Sequence, residues 1–195
     1  MNESTPRRCC QPGPMIAWRD AVVTTAVGLL GQRTIESEGR KVSYDCAGVT
    51  RAIFLQHGVD LYQSRLVTKQ ANGVRYIYQH VREFGHLHDG PVVSPGDLVF
   101  FDNTWDFNGD GMANDPLTHV GVVETIEHDG TVVFISRVAG AVERYRMNLA
   151  HPRRHRTDDG RVVNDYLRRK RAGDVEGTNY LSGELFAGFG TPYRK

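Results

Sequence analysis

Cys46 stands in the run Tyr44-Asp45-Cys46-Ala47-Gly48, and His119 in Leu117-Thr118-His119-Val120-Gly121-Val122-Val123-Glu124. A thiol and an imidazole brought together make a nucleophile and the base that activates it. Asp45 is a good N-cap, and Val49, Ala52, Ile53 and Phe54 follow with helical spacing up to Gly58, so Cys46 falls in the first turn of a predicted helix. Unpaired N–H groups and the positive dipole end favour a thiolate there, and Gly48 is expected to leave the approach to the sulfur open. His119 opens a β-rich run, and a strand fixes side-chain direction. Gly121, next on the same face, is expected to leave space beside the imidazole. The blander alternatives are that Cys46 is a small buried hydrophobe and His119 a core or edge histidine.

The other seven histidines lack that setting. His57 sits at a helix end and His86 and His88 in a polar stretch read as loop. His80, His128, His151 and His155 have no strand or glycine context that points to a site. A third member of the constellation comes from hairpin geometry. If Ile126 pairs with Thr131 across the turn Glu127-His128-Asp129-Gly130, Gly121 faces Ser136, and Ser136 shares a sheet face with His119. Its hydroxyl is placed to accept the imidazole N–H and fix the tautomer. A register changed by one residue puts Arg137 there instead.

Around these residues the chain divides into helices first and strands afterwards, which predicts an α+β domain rather than βαβ units. Helices are expected over Met15 to Gln32, from Cys46 and over Gly73 to Phe84; Arg33 to Ser43 reads as loop. Ser94-Pro95-Gly96-Asp97 is a turn into a short buried strand, Leu98-Val99-Phe100-Phe101. The hairpin Leu117 to Ile126 and Thr131 to Arg137 follows, with a further strand over Ala141 to Met147. The expected organisation is an N-terminal arm over 1–14, a domain over 15–150, and a basic extension over 151–195 packed irregularly on it.

Three blocks then fall in order: Asp45-Cys46-Ala47-Gly48, Pro95-Gly96-Asp97-Leu98-Val99-Phe100-Phe101, and Thr118-His119-Val120-Gly121-Val122-Val123. Together they resemble the NlpC/P60 and CHAP group of papain-like peptidoglycan hydrolases, in which the first block bears the nucleophile, the second forms a core strand and the third bears the base. The resemblance covers about Ala21 to Arg137. It departs at Ala47, where Ser is commoner, and at Arg33 to Ser43, which lacks the aromatic-Gly-Gly segment frequent before the nucleophile. It implies a papain-like fold, N-terminal helices packed on a small antiparallel sheet, and an amide bond in bacterial cell wall cleaved through a thioester. Cys46 is then the nucleophile, His119 the base and Ser136 the candidate orienting group, in a monomer acting in the periplasm or outside the cell.

Asp106-Phe107-Asn108-Gly109-Asp110-Gly111 places side-chain oxygens at alternate positions with glycine at the sixth, as short calcium loops do. Asp106, Asn108, Asp110 and Asp115 are the candidate ligands of a structural Ca2+, with Asp102 a further neighbour. No cofactor is required for the chemistry. The plain alternative is a solvated turn rich in Asn and Gly. A metal hydrolase on His86, His88 and His119 lacks ligand spacing or a partnered Glu.

Composition sets outer bounds. The 195 residues are 39% hydrophobic and 24% charged with a formal net charge of +1, enough apolar content for a core and too little net charge for a dedicated nucleic-acid binder. No run approaches the about 18 apolar residues of a membrane span. No signal peptide is visible around Arg7-Arg8 and Cys9-Cys10, and three cysteines make no disulfide framework. The clusters Arg153-Arg154-His155-Arg156 and Arg168-Arg169-Lys170-Arg171 read as solvated faces or contacts to anionic wall polymers. Two other functions stay open: an acyltransferase using the same thiol, and a non-catalytic wall-binding or calcium-binding module.

Overall fold

The computed structural model describes residues 14–37, 40–64, 72–90 and 92–193; the arm carrying Arg7, Arg8, Cys9 and Cys10 lies outside them. Helix α1, Pro14–Gly28, begins at a proline whose missing N–H costs nothing in a first turn. It stops short of the expected Gln32. Leu29 and Leu30 bond to the carbonyls of Ala26 and Val27, a tightened last turn, and Gly31 turns away at a φ of 78°. Strands β1, Glu36–Ser37, and β2, Arg40–Lys41, form a small antiparallel pair in the segment expected to be loop. Helix α2, Cys46–Leu55, starts where predicted, and α3, Gly73–Phe84, is capped by Asn72.

The main sheet has six strands in the order β3-β8-β4-β5-β6-β7, and every neighbouring pair is antiparallel. They are β3, His86–His88; β4, Leu98–Phe101; β5, His119–Ile126; β6, Val132–Arg137; β7, Val142–Met147; and β8, Phe186–Thr191. The α+β class predicted from the order of elements is the observed one, with the helices gathered on one face of the sheet.

Strand β4 is buried at all four positions, and such a strand needs cover on both faces. Leu98 and Phe100 join the cluster built from the helices, with Ile53, Phe54 and Ile77. Val99 and Phe101 point the other way, to Phe134, Met147, Leu167 and Leu185. The segment after Met147 thus forms the second cover, and β8 enters the interior of the sheet, where an irregular extension had been expected. Its glycines have a reason: a Cβ on Gly190 would lie 2.8 Å from the Val81 side chain and 3.1 Å from Phe100, so α3 can lie close only over a bare backbone.

Asp97 of the Pro-Gly-Asp turn ties this end together. Its buried carboxylate accepts from Arg19 of α1 at 2.9 Å, from the Thr191 hydroxyl at 2.8 Å and from the Ser94 N–H at 2.9 Å. Among the described residues no helix is long and apolar enough to cross a membrane.

Candidate active site

Asp45 caps α2 in extended conformation, its carboxylate taking the Gly48 N–H at 2.7 Å and its carbonyl the Val49 N–H at 3.0 Å. The N–H groups of Cys46 and Ala47 are left for the sulfur. A third donor reaches it from the sheet. The β5–β6 ladder runs only as far as the pair Val122 and Ile135, and beyond it the Val120 N–H is directed to the Cys46 thiol. Cys46 and His119 line one cavity of about 330 Å³, together with Asp45, Asn72 and Gly73. Asn72 fastens α3 to the chain leading into the strand that carries the histidine, donating to the Leu117 carbonyl at 3.0 Å. Leu117 itself holds a left-handed φ of 56°, secured by the Asp102 carboxylate on its N–H at 2.7 Å.

Ser136 meets His119 as the hairpin argument expected, by a different route. At the turn the register differs, with Ile126 opposite Val132 rather than Thr131. An irregularity between Val123 and Thr125 absorbs one residue and restores the expected alignment at Val122 and Ile135. The fully buried Ser136 Oγ lies 3.0 Å from His119 Nε2 and donates to the Val120 carbonyl at 2.7 Å. A hydroxyl has one hydrogen. With it committed to Val120, the oxygen accepts at the imidazole, so Nε2 carries the proton and Nδ1 is the basic nitrogen.

The protonation states correct one expectation. Burial pushes the Cys46 thiol up to about 12; the N–H groups of Val120, Ala47 and Cys46 work against it, and the Asp45 charge adds to it. The helix terminus supplies donors, but loss of solvent outweighs them. Burial likewise holds the His119 imidazole down at about 4, with the Asp45 charge pulling it up. Both shifts favour a thiol beside a neutral imidazole over the thiolate expected from the helix position alone.

Both glycines serve packing rather than access. A Cβ on Gly48 would stand 1.8 Å from the Ser43 carbonyl oxygen, so its bareness lets the preceding loop lie on the helix. One on Gly121 would stand 2.5 Å from the Phe134 ring, which fills the space expected to be free beside His119.

In the acidic loop, Asp106 accepts from the N–H groups of Gly109 and Gly111, Asn108 from Asp110, and Asp110 from Met112. The buried Asp115 turns its two oxygens to the N–H groups of Phe107 and Asn108. These are side-chain-capped turns that hold the loop by themselves. Among the described residues no three His, Cys, Asp or Glu side chains gather as a metal-binding group. Asp102 is committed to Leu117. His86 and His88 stack on one another in β3, rather than in a loop.

Sequence reasoning missed the far wall of the cavity, made by Trp105, Arg137, Arg169 and Arg171. The basic cluster was visible, but nothing in the chain near it tells which surface it faces.

Fold and cavity define an α+β protein with a half-buried thiol and a serine-bonded imidazole on a common cleft. No family model and no curated protein matches the chain. Among solved structures it is similar to the peptidoglycan hydrolase RipB from Mycobacterium tuberculosis, at 14% identity over 95% of this chain and 70% of that one, with a TM-score of 0.45.

Proposed function

We propose that this protein is a papain-like cysteine hydrolase of the NlpC/P60 and CHAP kind that cleaves an amide bond in bacterial peptidoglycan, and so acts outside the cytoplasm. The observation that carries the reading is the ordered set Cys46, His119 and Ser136: two side chains on one cavity, and the third bonded to the imidazole so that Nδ1 is left basic. In this reading Nδ1 takes the thiol proton as the sulfur attacks the carbonyl carbon. The N–H groups at the start of α2 stabilise the oxyanion. His119 returns the proton to the leaving amine, and water, deprotonated by Nδ1, then hydrolyses the thioester. The peptidoglycan substrate rests on the three sequence blocks.

A non-catalytic module with a packed thiol is the rival favoured by the raised thiol pKa. Mass analysis of purified peptidoglycan separates them: the wild type is expected to release new fragments, and Cys46→Ala and iodoacetamide-treated protein none. Wall material left intact by the wild type sinks the hydrolase reading.

A further inference from the structure

Four arginines, Arg137, Arg168, Arg169 and Arg171, line the cavity against a single acid, Asp45. One of the four is spoken for. Arg168 donates to the Asn103 carbonyl at 2.9 Å and to Asp174 at 3.2 Å, and both partners of that ion pair are nearly buried. Asp174 also takes the Arg171 backbone N–H at 2.7 Å and the Tyr180 hydroxyl at 2.9 Å. This pins the segment from Arg168 to Asp174, of which Arg168, Arg169 and Arg171 line the cavity. The ion pairs among the described residues leave out Arg137, Arg169 and Arg171.

Arg137 supplies an independent observation. Its guanidinium lies over the Tyr44 ring, 4.5 Å from the centroid, and its Nε is buried with no hydrogen-bond partner. A buried cationic donor without an acceptor is costly, and an arriving acceptor relieves it. Asp45, the one acid on the cavity, is turned to the Gly48 N–H and the Ser43 hydroxyl and makes no bond to Arg137. Three guanidiniums around one reactive cleft match planar, anionic oxygen groups on the substrate.

We infer that Arg137, Arg169 and Arg171 select acyl substrates that carry a free carboxylate beside the scissile amide. This rests on the hydrolase reading for the amide, while the arginine wall itself stands on its own geometry. An acidic linear peptide and a wall peptide with free carboxyl groups share that chemistry, and the test includes both.

The experiment uses paired substrates, peptidoglycan fragments and linear peptides, each with free carboxylates or with the matching carboxamides. The proteins are wild type, R169Q/R171Q, R137Q, and R153Q as a basic control that does not line the cavity. In kcat/KM the wild type is expected to prefer the carboxylate form by about tenfold at low salt. That preference is expected to shrink as salt rises and to fall below about twofold in R169Q/R171Q. Arg169 and Arg171 are exposed, so their loss leaves the fold in place even if R137Q folds poorly. Equal rates on the two forms overturn the proposal, as does an equal loss of preference in R153Q. Calorimetric binding of the same pairs to Cys46→Ala separates the two readings. Carboxylate preference in binding with no cleavage by the wild type removes the hydrolase and keeps the wall; cleavage without preference does the reverse.

Discussion

Ser136 donates its one hydroxyl hydrogen to the Val120 carbonyl, and the Val120 N–H meets the Cys46 sulfur. The serine therefore acts twice, by fixing the imidazole tautomer and by holding the strand segment that touches the thiol. Ser136→Ala leaves both His119 Nε2 and the Val120 carbonyl unsatisfied in a buried place, at about 1–3 kcal/mol each. If the proposed chemistry holds, kcat is expected to drop by on the order of a hundredfold while KM changes little, because the proton acceptor is misdirected in the reacting complex. Steady-state kinetics on a wall fragment, alongside urea unfolding, reads both effects. An unchanged kcat in a stably folded variant sets Ser136 outside the chemistry.

The nucleophile helix depends on what it lacks. Gly48→Ala forces a methyl group against the Ser43 backbone, which cannot swing aside as a flexible side chain would. A loss of about 3 kcal/mol is expected, or about 8 °C in Tm for a domain of this size, measured by thermal unfolding. Gly28→Ala, where the new methyl group meets nothing, is the neutral comparison. These two glycines look alike in sequence, which shows where legibility ends. Asp45 as a cap, the helix it starts and the buried strand Leu98 to Phe101 were readable because each depends on neighbours in the chain. Strand β8 was not: Phe-Ala-Gly-Phe-Gly-Thr has weak strand propensity, and its place was decided by α3 lying over Gly190. Strand β3 was hidden in the same way, since among the described residues His86-Leu87-His88 pairs with β8 alone. That Cys46 and His119 share a cavity and that Ser136 meets the imidazole was legible through motif and register, whereas the raised thiol pKa was not, because burial belongs to the assembled molecule.

Burial of His119 also couples the site to the stability of the whole domain. Its folded pKa, about 4, lies below the ordinary value of about 6.5, so the unfolded chain binds the extra proton first. The native state is therefore at full strength above about pH 6.5 and weakens as pH falls toward 4. At about pH 4.5 this one group accounts for a loss on the order of 2 kcal/mol. His119→Gln is expected to remove that share of the acid sensitivity, seen as a smaller fall in urea midpoint between about pH 7 and pH 4.5. A variant with the wild-type slope refutes it.

The position of β8 between β3 and β4 has a further consequence. Two strands that precede it in the chain are held apart by one that follows β7 and the whole second cover. Until that late strand arrives, both flanking edges are open to any other polypeptide, and the pairing that closes them spans most of the domain. A ribosome-bound or truncated fragment ending before Phe186 thus carries every residue of the proposed triad yet only a gapped scaffold. Arrival of β8, rather than appearance of the reactive groups, is the event that completes the sheet carrying them.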